Sequence, residues 1–276
     1  MRLQVDHATT YHFDPPMHGV VQTLRLWPTE CENQQTLDWQ VDAGAAAIGA
    51  GFRDGAGDWV ETATLMGAVE SLTIRVTGTV ETVDCGGVLK GLRERVPPQA
   101  YLRTTRATLP DRAILDLARS ATSDVSETDV LARSHAIMDA VEEAIAYTPG
   151  ETEHGTTAAE ALALGHGVCQ DHAHVIIAAA RSIGIPARYV TGYLFASEED
   201  GAHEASHAWA ELYVPDLGWV GFDASNGKCP DAHYIRVGSG LDADGAAPIR
   251  GVLKGAGQET LDAHVSVDQV RDQGAQ

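Results

Sequence analysis

A cysteine, a histidine and an aspartate occur in that order in the second half of the chain, each inside a segment that indicates how it is held. Cys169 stands in Gly167-Val168-Cys169-Gln170-Asp171-His172, at the head of an apolar, alanine-rich stretch that stops at Gly184 and Pro186. His207 lies in Ser206-His207-Ala208-Trp209-Ala210-Glu211, and Asp223 in Gly218-Trp219-Val220-Gly221-Phe222-Asp223. A thiol at the first turn of a helix meets unpaired backbone N–H groups and the positive end of the dipole, which favour thiolate over thiol. An imidazole that serves as base and then acid, with a carboxylate to orient it, completes the set needed for acyl transfer through a thioester. The backbone N–H of Cys169 then supplies one oxyanion donor, and Gly167, Gln170 and Trp209 are expected to line the oxyanion and substrate cleft.

Each of these residues has a plainer use when taken singly. A cysteine at a helix start packs, a strand histidine is satisfied by neighbours, and an aspartate at a strand end caps a turn. Their order on a helix and two successive strands is what argues for chemistry. A rival pattern overlaps them: His203-Glu204-Ala205-Ser206-His207 has the form H-E-x-x-H, which binds zinc when it lies on a helix. Here it runs into Trp209-Ala210-Glu211-Leu212-Tyr213-Val214-Pro215, an alternating strand. Residues four apart on a strand are separated by some ~13 Å, too far for one ion. His172 and His174 are two apart on a helix and point in different directions, so they do not share a metal either, though one of them could face the cleft. Neither a metal nor any other cofactor is expected. Cys229, six residues beyond Asp223, reads as a free loop thiol.

The elements that must carry these groups can be read from the periodicity. Residues 1 to about 85 alternate with period two, in Leu3–Phe13, Val20–Trp27, Thr36–Val41, Trp59–Thr62 and Ser71–Val80, which predicts short antiparallel strands in a β-sandwich. Pro97-Pro98 marks a connector. Helices follow, from Asp111 to about Ser120, after Ser126 and Asp129 through Ile145, over Thr157–Leu164, and from Cys169 onward. After Ala187 the period returns to two, and Leu261–Val267 reads as a last strand. The expected fold is therefore α+β. Residues 1–100 form a β-rich N-terminal domain, and 101–276 form a core in which a helix bearing cysteine packs on an antiparallel sheet bearing histidine and aspartate.

Composition narrows the function. The 276 residues carry 19 basic and 39 acidic side chains, a formal charge of −20, which repels nucleic acid and anionic membrane surfaces. No run of 18 apolar residues occurs, and the opening Met-Arg-Leu-Gln-Val-Asp-His lacks a signal-peptide core, so the expected compartment is the cytoplasm. Cysteines at 31, 85, 169 and 229 show no C-x-x-C spacing and are expected as free thiols.

With these residues in hand, the second half resembles the core of the transglutaminase-like superfamily, the papain-like thiol enzymes. The resemblance runs through Gly-Val-Cys-Gln-Asp at 167–171, Gly-Ile-Pro-Ala-Arg-Tyr-Val-Thr-Gly-Tyr at 184–193, Ser-His-Ala-Trp-Ala-Glu at 206–211 and Gly-Trp-Val-Gly-Phe-Asp at 218–223. The first half is similar to the β-rich N-terminal domain of bacterial members. The resemblance implies a Cys169–His207–Asp223 triad acting without metal on amide or isopeptide bonds, in a protein, a peptide or a small amide. The expected activity is that of a cysteine peptidase or amidase. Transamidation, in which an amine intercepts the same thioester, is the close alternative; a non-catalytic binding module and a zinc metallopeptidase stand further off. Nothing in the sequence decides between a monomer and a homo-oligomer.

Overall fold

In the first half, alternation of apolar and polar residues lays down strands longer than the sequence pattern indicates. The computed structural model describes residues 1–196 and 205–270. Strand β1 (Arg2–Leu24) joins two stretches that the sequence reads as separate, and β5 (Trp59–Thr82) does the same at its own middle. Pro15 and Pro16 cannot donate to a ladder. The β1–β5 register shifts between His12 and Met17, so the break falls within one strand as a bulge and does not end it. Between these strands come β2 (Gln34–Asp42) and the short β3 (Ala47–Ile48) and β4 (Phe52–Arg53). Together with two strands from the end of the chain, β12 (Ile249–Lys254) and β13 (Gln258–Gln269), they form a single seven-stranded antiparallel sheet ordered β12-β1-β5-β2, with β3 and β4 also on β5 and β13 also on β1.

The connector ends in a 3-10 turn at Pro98–Leu102, followed by α1 (Arg112–Ala121), α2 (Val130–Ala144), β6 (Ala146–Tyr147), α3 (Ala158–Leu164), β7 (His166–Gly167) and α4 (Cys169–Ser182). Side-chain caps set the helix starts: Asp111 accepts from the Ile114 amide, Asp129 from Ala132, and Thr157 from Glu160, whose carboxylate returns to the Thr157 amide. Such caps stabilise a helix by about 1 kcal/mol each. Ser126, expected near the start of α2, instead contacts Thr128. None of these helices is long and apolar enough to cross a membrane.

Strands β8 (Ala187–Leu194), β9 (Ser206–Val214), β10 (Gly218–Phe222) and β11 (Tyr234–Gly240) form a second antiparallel sheet ordered β10-β9-β8-β11. Helix α4 is buried from Asp171 through Arg181, and Val175, Ile176 and Ile177 pack with Ala208, Ala210 and Leu212 of β9 in one core. On the other side Tyr193, Ile235 and Val237 join Leu3, Val5, Leu24 and Trp39 in a second core shared with the large sheet. After α5 (Ala243–Ala246) the chain returns: β12 (Ile249–Lys254) pairs with Gly19–Leu24, and β13 (Gln258–Gln269) with Leu3–Asp14. The sequence division at residue 100 assigns these last strands to the core, whereas the structure adds them to the N-terminal sheet. Alternation marks a strand without naming its partner, so that pairing was not readable locally.

Candidate active site

Helix α4 begins where β7 ends, and the Asp171 side chain fixes the junction. Its Oδ2 accepts from the Val168 amide at 2.8 Å and from Thr152 Oγ1 at 2.7 Å, which leaves Cys169 as the first helical residue. Gly167 is needed for this approach, because a Cβ there would lie 2.6 Å from Asp171 Oδ2. The glycine thus shapes the helix entry from behind and does not line the cleft.

His207 sits near the start of β9, and Asp223 lies one residue past β10. The antiparallel pairing of Phe222 with Ala210 brings the two ends together. His207 Nε2 donates to Asp223 Oδ2 at 2.7 Å, with His207 7% exposed and Asp223 2%. Asp223 is held from several directions: Tyr234 Oη donates to Oδ2 at 2.8 Å, Asn226 Nδ2 to Oδ2 at 2.7 Å, and Ser225 to Oδ1 through its amide at 3.1 Å and its hydroxyl at 2.6 Å. Burial alone would raise this carboxyl, yet the imidazolium and the donors from Asn226 and Ser225 bring it down to about 2. Burial also opposes a charged imidazole, but the hydrogen bonds and charges of Asp223 and Cys169 outweigh it and raise His207 to about 10. With Nε2 committed to the carboxylate, Nδ1 is the nitrogen left for the thiol.

Cys169, Gln170, Tyr189, Thr191 and His207 line one cleft of about 280 Å³. Gln170 is on its wall, and its amide donates to the His154 carbonyl at 3.1 Å. Trp209 is not on the wall. It is buried beneath His207, with ring centroids 6.4 Å apart, and meets Tyr234 edge-on. His172 and His174 are also buried and outside the cleft: His172 lies between the carbonyls of Val168 and Ile145, and His174 Nε2 accepts from the Ala243 amide. A larger cavity of about 700 Å³, lined by Trp27, Arg53, Trp59 and Glu61, touches none of the cysteine, histidine and aspartate, so the chemistry belongs to the smaller cleft. His203 and Glu204 lie outside the described residues. Among the described ones no group of three or more histidine, cysteine or carboxylate side chains is placed to hold a metal ion. Cys31, Cys85 and Cys229 are free thiols, and burial raises the pKa of Cys31 and Cys229.

Asn226, Ser225 and Tyr234 were not singled out from sequence as supports of the carboxylate. The Asp-x-Ser spacing is an Asx-turn signature and could have pointed to Ser225. Tyr234 carries no local signal, since β11 reaches Asp223 only through the sheet.

Comparisons with known proteins agree with this architecture. Residues 116–224 match the transglutaminase-like superfamily core and residues 3–81 match the bacterial transglutaminase-like N-terminal region. The chain thus carries a transglutaminase-like core and a bacterial transglutaminase-like N-terminal region. An uncharacterised protein of Mycobacterium leprae is 28% identical over 290 residues, spanning 98% of this chain and 99% of its own. One from Mycobacterium tuberculosis is 36% identical over 137 residues, 46% of this chain and 43% of that protein. Among solved structures, a candidate cysteine protease from Cytophaga hutchinsonii shares the fold with a TM-score of 0.76 at 23% identity, covering 100% of this chain and 92% of that one.

Proposed function

We propose that the protein is a thiol-dependent hydrolase of amide or isopeptide bonds in a protein or peptide substrate. The observation that carries this reading is the His207 imidazole, fixed by Asp223 through Nε2 at 2.7 Å and sharing one cleft with Cys169. Cys169 thiolate attacks the amide carbonyl, and the imidazolium of His207 gives its proton to the leaving amine. Neutral His207 then takes a proton from the water that attacks the thioester, releasing the acid and restoring the thiolate–imidazolium pair. Asp223 keeps the ring in the orientation that both steps require. Four free thiols suit a reducing compartment, and we assign the reaction to the cytoplasm.

The test is pH-dependent iodoacetamide labelling with peptide mapping. Cys169 is expected to react below pH 7 well ahead of Cys31, Cys85 and Cys229, and to lose that lead in His207→Ala; labelling at equal rates would sink the reading. Product analysis with and without a primary amine then separates hydrolysis from transamidation.

A further inference from the structure

A thioester mechanism needs donors for the oxygen on which charge develops. One is present at the start of α4: hydrogen bonding to the Val168 carbonyl begins with the amides of Asp171 and His172, so the Cys169 N–H has no acceptor within the helix and none among the described residues. Gln170 is the neighbouring side chain with a suitable amide, and that amide is already committed to the His154 carbonyl. The opposite wall is β8. Tyr189 and Thr191 are two apart on this strand and share its cleft face, opposite Ala210 and Ala208 of β9, whose small side chains leave room for the phenol ring.

Tyr189 is 5% exposed, and its ring is braced by His174 at a centroid distance of 5.2 Å. Among the described residues its hydroxyl has no hydrogen-bond partner and is not sealed away from the cleft. Two tyrosines nearby contrast with it: Tyr193 is bonded to His7 and Tyr234 to Asp223. Burial, and then the nearby charges of Cys169, Asp171 and Asp242, keep the Tyr189 phenol protonated, so it can only donate to an anion.

We propose that the Tyr189 hydroxyl is the second oxyanion donor, acting together with the Cys169 backbone N–H on the carbonyl oxygen of the bound acyl group. The proposal rests on the thiol-hydrolase reading above. As Cys169 sulfur bonds to the carbonyl carbon, the C=O π pair moves onto oxygen and is held by these two donors. When the oxyanion collapses, the C=O bond re-forms and the bond to the leaving group breaks, taking its electron pair with it. Tyr189 keeps its proton throughout.

Two reagents separate this role from a structural one. p-Nitrophenyl acetate acylates a thiol through a tetrahedral oxyanion and expels p-nitrophenolate, whereas iodoacetamide alkylates the same thiol by displacement at carbon with no such intermediate. Tyr189→Phe is expected to slow acylation of Cys169 by about 100-fold, the size typical of losing one oxyanion donor, and to leave iodoacetamide alkylation at the wild-type rate. Tyr213→Phe, a like change on β9 outside the cleft, should acylate as the wild type does. The assignment is overturned if Tyr189→Phe acylates normally, if it loses both rates alike, or if Tyr213→Phe loses acylation to the same extent. If wild-type Cys169 reacts with neither reagent ahead of the other cysteines, the hydrolase reading itself fails and takes the proposal with it.

Discussion

Strand β9 carries two buried charges four residues apart, and their surroundings differ in one decisive respect. Glu211 is saturated: Arg188 Nε reaches Oε2 at 2.6 Å and Arg236 Nε reaches Oε1 at 2.9 Å. The same arginines extend the cluster to Asp58, at 3.0 Å from Arg236, and to Glu94, at 2.9 Å from Arg188, while Trp219 lies under the Arg188 guanidinium. His207 is equally buried and equally paired on one side, but its second nitrogen opens onto a cleft that holds a thiol. Buried charge with its partners in place fixes geometry, whereas buried charge with one valence left toward a cavity can move a proton. The Glu211 cluster joins the core sheet to Asp58 of the N-terminal half and Glu94 of the connector. It also accounts for the arginine of the 184–193 motif and the glutamate of the 206–211 motif without giving either a part in the reaction.

The contrast can be broken at either end. The largest effect is expected for Cys169→Ala, which should abolish turnover while thermal unfolding stays as in the wild type; residual activity above that of a mock preparation would contradict the assignment. Asp223→Ala should follow, lowering kcat/KM by about 10³–10⁴-fold by releasing the imidazole from its orienter. Glu211→Gln should act on stability, because two buried arginines lose their shared counter-charge. A loss of about 3–5 kcal/mol in denaturant unfolding is expected, with Cys169 alkylation preserved where the variant is still folded. If Glu211→Gln instead abolished alkylation at full stability, the separation of the two clusters would be wrong. The smallest effect falls to Tyr234→Phe, which removes one of several donors to Asp223 and should reduce kcat/KM by about tenfold.

The pH dependence sharpens the same comparison. His207 rises from 6.5 to about 10 on folding, so its contribution to stability is complete below the unfolded value and is lost as pH climbs through about 10. Asp223 moves the other way, from 3.8 to about 2, and its contribution is lost as pH falls through that range. Unfolding free energy measured from pH 6 to 11 should therefore decline in the wild type and flatten in His207→Ala. Hydrolysis of an amide should fall on the alkaline side as the imidazolium loses its proton, and Asp223→Ala should bring that limb to lower pH.

Much of this was legible in the residues. Helix starts were readable at Asp111 and Thr157 because capping is local chemistry, while α2 starts at Asp129, three residues past the Ser126 cap expected; β8 to β10 were readable from their β-branched and aromatic residues, although both of their faces are buried. The N-terminal strands were found but cut too short, since Pro15 and Pro16 look like an ending until β5 is seen to bridge the bulge. Gly167 and Trp209 were expected in the cleft and lie behind it, because sequence proximity to the cysteine and histidine does not say which way a side chain faces.

The sequence by itself determined the helix-start cysteine, the order of cysteine, histidine and aspartate, the switch from β to α and back, and the acidic surface, because each follows from nearest neighbours or composition. Only the tertiary structure decided what meets across the chain. It set His207 and Tyr234 on Asp223, drew Asp58 and Glu94 into the arginine cluster, returned β12 and β13 to the first sheet, and put Tyr189 in one cleft with Cys169. Those contacts depend on strand register and on which face of a sheet is covered, and no stretch of a dozen residues encodes either.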